Sequence, residues 1–145
     1  MKNLKKKIKI LVLGSNPETY DLIKTINSEG YRSFIIGMEK ISKTKKIAYK
    51  SFVGDGSNYN FVKNIIQKYN IDAVMCGTVD ILLPNYEKIC ARFNFPRYTN
   101  SKSIKFLLSK IRFNILLKKY GFKIIPKYRL KLNDKIKLKK EINNK

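Results

Sequence analysis

Apolar residues along the chain follow two alternating rhythms. Short continuous runs at 8–13 (IKILVL), 33–36 (SFII), 51–53 (SFV) and 73–76 (AVMC) have the length and β-rich composition of buried parallel strands, and glycines follow them closely. Between these runs the apolar positions recur at helical spacing. Leu22, Ile23 and Ile26 form one stripe that Gly30 closes, with Pro17 suited to the first turn. Phe61, Val62, Ile65, Ile66 and Tyr69 form a second stripe. Leu82, Tyr86, Ile89, Cys90 and Phe93 form a third over about 81–93. The stretch 38–50 is polar and lysine-rich and reads mainly as a loop.

After Pro96 the alternation stops. Ile104, Leu107, Leu108 and Ile111 recur at i, i+3, i+4 and i+7, and Phe113, Leu116, Leu117 and Tyr120 repeat the spacing before Gly121. Pro126 opens a last short strand at 127–130, and Asn133 or Asp134 is placed to cap a charged terminal helix whose lysines read as a solvated face. Strands alternating with helices imply βαβ crossovers and a sheet covered on both faces. The expected fold is therefore α/β: a Rossmann-like three-layer domain with a mainly parallel sheet of four to five strands, then a helix pair and a short strand. A seam near 96–101 divides the chain into residues 1–99 and 100–145.

A single domain of 145 residues buries roughly 70% of its unfolded surface, and 43% apolar composition supplies a core. The net charge of +22 suggests nucleic acid, but 27 of the 32 cations are lysines and only 5 are arginines. They are spread along the chain, and Asn (14) and Ile (20) are abundant too, so the bias reads as codon skew rather than a dedicated basic patch. A nucleic-acid partner is not expected, whereas long-range attraction of anionic ligands is. Cys76 and Cys90 lie in apolar stretches without CxxC spacing and read as buried, reduced thiols of a cytoplasmic protein. The basic amino terminus precedes an apolar run of only six residues, from Ile8 to Leu13, short of the roughly 7–15 of a secretory core. No run approaches the roughly 18 residues of a membrane span, so no membrane partner is expected.

Ligands of such sheets gather at the carboxyl ends of the strands, which here means residues 14–17, 54–57 and 77–80. Gly14, Ser15, Asn16, Thr78 and Asp80 are the candidates for contact with a small-molecule substrate. Each has a plainer reading. The first turn could serve chain reversal alone, and Asp80 would cap a helix starting at Ile81. True NAD binding is not expected, because Asn16 and Thr19 stand where GxGxxG requires its second and third glycines. Glu39, 25 residues after Gly14, is near the place of a ribose-binding acid, yet it is one acid in a charged loop. With no histidine, a His-based triad or general base is excluded, and no carboxylate pair stands out in the strand-end turns. The sequence offers no catalytic constellation and no metal-ligand set.

The stretch 101–128 (SKSIKFLLSKIRFNILLKKYGFKIIPKY) gives the order of elements a family character. Ser109-Lys110, Phe113, Leu117-Lys118, Gly121, Phe122 and Pro126 match a helix ending in Asp-Lys, an aromatic-rich helix, and Leu-Lys-x-x-Gly-hydrophobic-x-x-Pro. With the strand–glycine-turn–helix start and the Gly-x-x-Asp after the fourth strand, residues 7–131 resemble the N-terminal, pre-ATP-grasp domain of ATP-grasp ligases. The style is closest to carbamoyl-phosphate-synthetase-like and amino-acid-ligase members. The resemblance implies an enzyme that uses ATP and Mg²⁺ to activate a carboxylate as an acyl phosphate and joins it to an amine, with an amino acid as one class of substrate. It gives Lys110 contact with nucleotide phosphates, although Ser109 replaces the usual Asp and a plain surface lysine is the alternative. The family's Lys-Pro strand, glycine-rich flap and acidic Mg²⁺ ligands follow later than residue 145. The 145 residues alone are thus expected to hold no cofactor and run no ligase reaction, and to need a missing or separately encoded catalytic domain. The stripe at 113–120 is then expected to be incompletely covered. The alternative is a stand-alone Rossmann-like module that binds a nucleotide or small metabolite without catalysis.

Overall fold

The computed structural model describes residues 7–124. The expected strand at 127–130, the cap at Asn133 or Asp134 and the terminal lysines lie outside the described residues. Four parallel strands form one sheet in the order β3-β2-β1-β4: β1 (Lys9–Leu13), β2 (Arg32–Gly37), β3 (Lys50–Val53) and β4 (Ala73–Cys76). Leu11 of β1 pairs with Phe34 on one side and Val74 on the other. The central position of β1 explains why its apolar run is continuous, because both neighbours and both faces are covered.

Alternate β1 side chains feed two cores. Leu11 and Leu13 join Phe34, Ile36, Val74 and Cys76 under α3 (Tyr59–Tyr69) and α4 (Leu83–Phe93), where Val62, Ile66, Tyr86 and Ile89 are buried. Val12 and Ile35 face the opposite layer, where Ile23 and Ile26 of α1 (Tyr20–Ser28) pack. The result is the expected three-layer, Rossmann-like α/β fold. The strand order reverses between β1 and β4, and that crevice is where such sheets receive ligands.

Two local readings need correction. The stretch 38–50 contains a helix, α2 (Lys43–Ile47), whose N-cap Ser42 accepts from the Lys45 N–H through its hydroxyl. A five-residue helix is too short to show apolar periodicity, so capping and burial create it. Asp80 makes no cap hydrogen bond: it is the first residue of a 3₁₀ turn, Asp80–Leu82, preceded by Val79 at the N-cap position. The helix pair is α5 (Ser101–Leu107) and α6 (Lys110–Lys119). Ser109 separates them by capping α6, accepting from the Arg112 N–H at 3.3 Å. In α5 only Ile104 is buried and in α6 no residue is, with Ile111 57% and Ile115 64% exposed.

Candidate functional site

Three glycines carry the parallel ladder one step past the strands. Gly14 N–H donates to Ile36 O at 2.9 Å, Gly77 N–H to Leu13 O at 2.9 Å, and Gly54 N–H to Gly37 O at 3.0 Å. Gly14 has φ +98°, the left-handed region that turns the chain away from the sheet without a side-chain clash. Ser15, which follows, is buried, and its hydroxyl donates to the Glu39 carboxylate. That approach needs Gly37 to lack a side chain, since a Cβ there would overlap Ser15 Oγ.

Asn16 joins the first turn to the one after β4. Its amide donates to Thr78 Oγ1 at 2.6 Å and to Glu18 Oε2 at 2.5 Å, while its carbonyl oxygen accepts from the Thr19 hydroxyl. Thr19 fits against Gly77, where a Cβ would stand 2.7 Å from Thr19 Oγ1. A cavity of about 220 Å³ lies over these turns, walled by Gly14, Asn16, Glu39, Gly56, Val79 and Leu82. Its far side is fixed by Asn85, whose amide donates to Gly56 O at 2.7 Å. Tyr98 returns over the end of β4, stacking on Tyr86 at 4.6 Å and donating to Cys76 O at 3.3 Å.

Gly14, Ser15, Asn16 and Thr78 are thus brought together as one hydrogen-bonded rim. Asp80 is exposed and does not line the cavity. Lys110 is exposed at the start of α6, which packs on α5, itself packed on α4, and it lines none of the strand-end walls.

Lys45 escapes sequence reading, and Glu39 was legible there only as one acid in a charged loop. Lys45 is buried, and its ammonium donates to Gly37 O at 2.9 Å, Phe52 O at 3.0 Å and Glu39 O. It ties the ends of β2 and β3 together and fixes the backbone that presents Glu39. Burial pulls the Lys45 pKa down, and the Glu39 charge partly offsets this. Glu39 is held below the ordinary carboxylate range, first by the Ser15 hydroxyl and then by its own N–H. Nothing in the run Lys43-Thr44-Lys45-Lys46 marks one lysine as buried; the cap Ser42, setting helical phase, is the one available signal.

Other perturbed groups are structural. Burial pushes the Cys76 thiol up to about 11 and raises Cys90 as well, so neither is a nucleophile near neutral pH. Asp55 is lowered by the Ser57 hydroxyl and N–H, an Asx turn that shapes residues 54–57. Among the described residues no three His, Cys, Asp or Glu side chains group as metal ligands.

Comparison with solved structures bears on this geometry. The chain is similar to phosphoribosylglycinamide synthetase from Anaerococcus prevotii, at 19% identity and a TM-score of 0.69, over 96% of this chain and 35% of that one. It is similar to N5-carboxyaminoimidazole synthetase from Staphylococcus aureus, at 17% identity and a TM-score of 0.72, over 94% and 36%. An L-amino acid ligase from Bacillus licheniformis matches at 11% identity and a TM-score of 0.69, over 97% and 42%. The fold resembles the N-terminal domain of ATP-grasp ligases. No protein-family model and no curated protein sequence matches. The chain spans little more than a third of the structures it resembles, so the likeness concerns one domain. What the rim offers chemically is hydroxyl, amide and carboxylate groups around a strand-end crevice. No helix among the described residues is long and apolar enough to cross a membrane.

Proposed function

We propose that this chain is the substrate-side, N-terminal domain of an ATP-dependent carboxylate–amine ligase of the ATP-grasp type. The observation that carries the reading is the match of nearly the whole chain, α5 and α6 included, to three synthetases and ligases of similar fold. The bare α6 supports it, because a helix with no buried residue is what a domain with an unfilled contact would leave. In this reading Gly14, Ser15 and Asn16 form one wall of the cleft for a small substrate such as an amino acid, with Thr78 bonded to Asn16 at its edge and Asp80 outside the cavity. Lys110 meets nucleotide phosphate only when a catalytic domain stands against α6. ATP and Mg²⁺ belong to that domain, whether continuous or separately encoded, and the protein works in the cytoplasm.

Two measurements test the reading. The purified 145-residue chain should release no ADP from ATP and Mg²⁺ with any amino acid or carboxylate, and ADP release by this chain alone would refute it. The DNA following codon 145, or a neighbouring gene, should encode a glycine-rich flap and clustered acids; a genome without such a segment would also refute it. A stand-alone binding module is the second reading, favoured by a rim and cavity built from the described residues alone. Strong thermal stabilisation by NAD would favour it.

A further inference from the structure

Charge is divided unevenly along the described residues. Residues 7–87 carry 11 cations and 8 acids, whereas residues 88–124 carry 10 cations and no acid. A codon skew adds lysine throughout; it does not clear the acids from one stretch. The nearest acid, Glu87, is already paired with Arg97 at 2.9 Å. The same stretch holds α5 and α6, so the most basic part of the described chain is also its least covered part.

Ile111, Ile115, Lys118 and Lys119 stand at i, i+4, i+7 and i+8 of α6 and share one face. All four are exposed, and so are Leu107, Tyr120 and Phe122 on either side in sequence. An exposed apolar patch of this kind marks a contact surface, and the charge around it decides what can cover it. A second copy would set 10 uncompensated cations against 10 more. Residues 125–145 of the same chain carry 8 cations and 2 acids and would meet the same repulsion. A nucleic acid would neutralise the lysines but leave the isoleucines without apolar contact. A bilayer-surface helix separates its apolar and charged faces, whereas α6 places Ile111 and Ile115 on one face with Lys118 and Lys119. What fits is a protein surface with an apolar centre and a carboxylate rim.

We propose that the α6 face docks on an acid-rimmed apolar surface of the catalytic domain, whose carboxylates meet Lys118 and Lys119 around Ile111 and Ile115. The inference rests on the ligase reading and adds to it the chemistry of the partner's contact face.

The test uses the segment with the glycine-rich flap and clustered acids, expressed as its own polypeptide where it is separately encoded. Its affinity for the 145-residue chain is measured by calorimetry at about 0.05 and 0.5 M NaCl. High salt and K118E/K119E should each weaken binding about tenfold, and I111S/I115S should weaken it about tenfold at both salt concentrations. All four positions are exposed, so unchanged urea midpoints are expected, and Lys110 is left intact. Where the segment continues from codon 145, the same variants are made in the whole polypeptide, and hydrogen exchange of the α6 amides should rise about tenfold. Binding that ignores both salt and K118E/K119E, or α6 amides that exchange no faster, overturns the inference and leaves the ligase reading standing. A genome without such a segment overturns both. Dimers of the chain, or tighter binding to phosphatidylserine vesicles than to the segment, overturn the inference alone if I111S/I115S abolishes them, since another occupant then holds the face.

Discussion

The hydroxyl of Ser15 donates to the carboxylate of Glu39 across 24 residues of sequence, joining the turn after β1 to the segment after β2. The bond stands in the wall of the strand-end crevice, and it holds the Glu39 carboxyl below its ordinary value of 4.5. A lowered folded pKa means the folded state binds its proton less readily than the unfolded one. The stabilisation is present above about 4.5 and is lost as pH falls through the folded value. In S15A the Glu39 midpoint, followed by carboxyl-carbon NMR, should move upward toward 4.5. An unchanged midpoint would show that the hydroxyl is not the cause.

Lys45 should matter more to stability than any other lysine of α2. K45A leaves the carbonyls of Gly37, Glu39 and Phe52 short of a donor and should cost about 3 kcal/mol in urea unfolding, against less than about 0.5 for K43A or K46A. Because burial lowers its pKa, the folded protein binds fewer protons than the unfolded chain between the folded value and 10.5. This group's contribution should therefore rise with pH across that window, and the rise should vanish in K45A.

Gly37 is needed for space. G37A sets a Cβ into Ser15 Oγ and Cβ, and should destabilise by about 2 kcal/mol. On an S15G background the same change should cost much less, since the obstructing side chain is gone. A double-mutant cycle with additive energies would contradict the contact.

The two thiols should be silent in the native protein. With Cys76 raised to about 11 and Cys90 raised too, a disulfide reagent at pH 8 should label neither until denaturant is added. Labelling at the rate of a free thiol under native conditions would show that the end of β4 opens.

The helix pair should divide sharply in its response to mutation. I104A removes a buried side chain and should cost about 2–4 kcal/mol, whereas I111D and I115D at exposed positions should change stability by less than about 0.5 kcal/mol. Equal losses at all three sites, by thermal or urea unfolding, would mean that α6 is covered in solution.

Much of the fold was legible because it rests on local chemistry. Runs such as IKILVL and AVMC fix parallel strands, and stripes such as Val62, Ile65 and Ile66 fix the helices that cover them. The glycine turns were legible for the same reason, and with them the places where Gly14, Ser15, Asn16 and Thr78 meet. Asp80 shows the limit. A good capping residue went unused because Pro84 and the 3₁₀ turn at Asp80–Leu82 start α4 by another route.

Periodicity and turn chemistry, then, were enough to determine the layers, the strands and the end of the sheet where polar groups converge. Only the tertiary structure decided which lysine is buried and which acid reaches Ser15; the incomplete cover of α6 was expected from the family resemblance, not from spacing. Each depends on residues from separate elements meeting in space. Lys45 finds carbonyls of β2 and β3, and Glu39 finds a hydroxyl that Gly37 leaves room for. Exposure on α6 is set by what packs against it, which no spacing along the helix itself can encode.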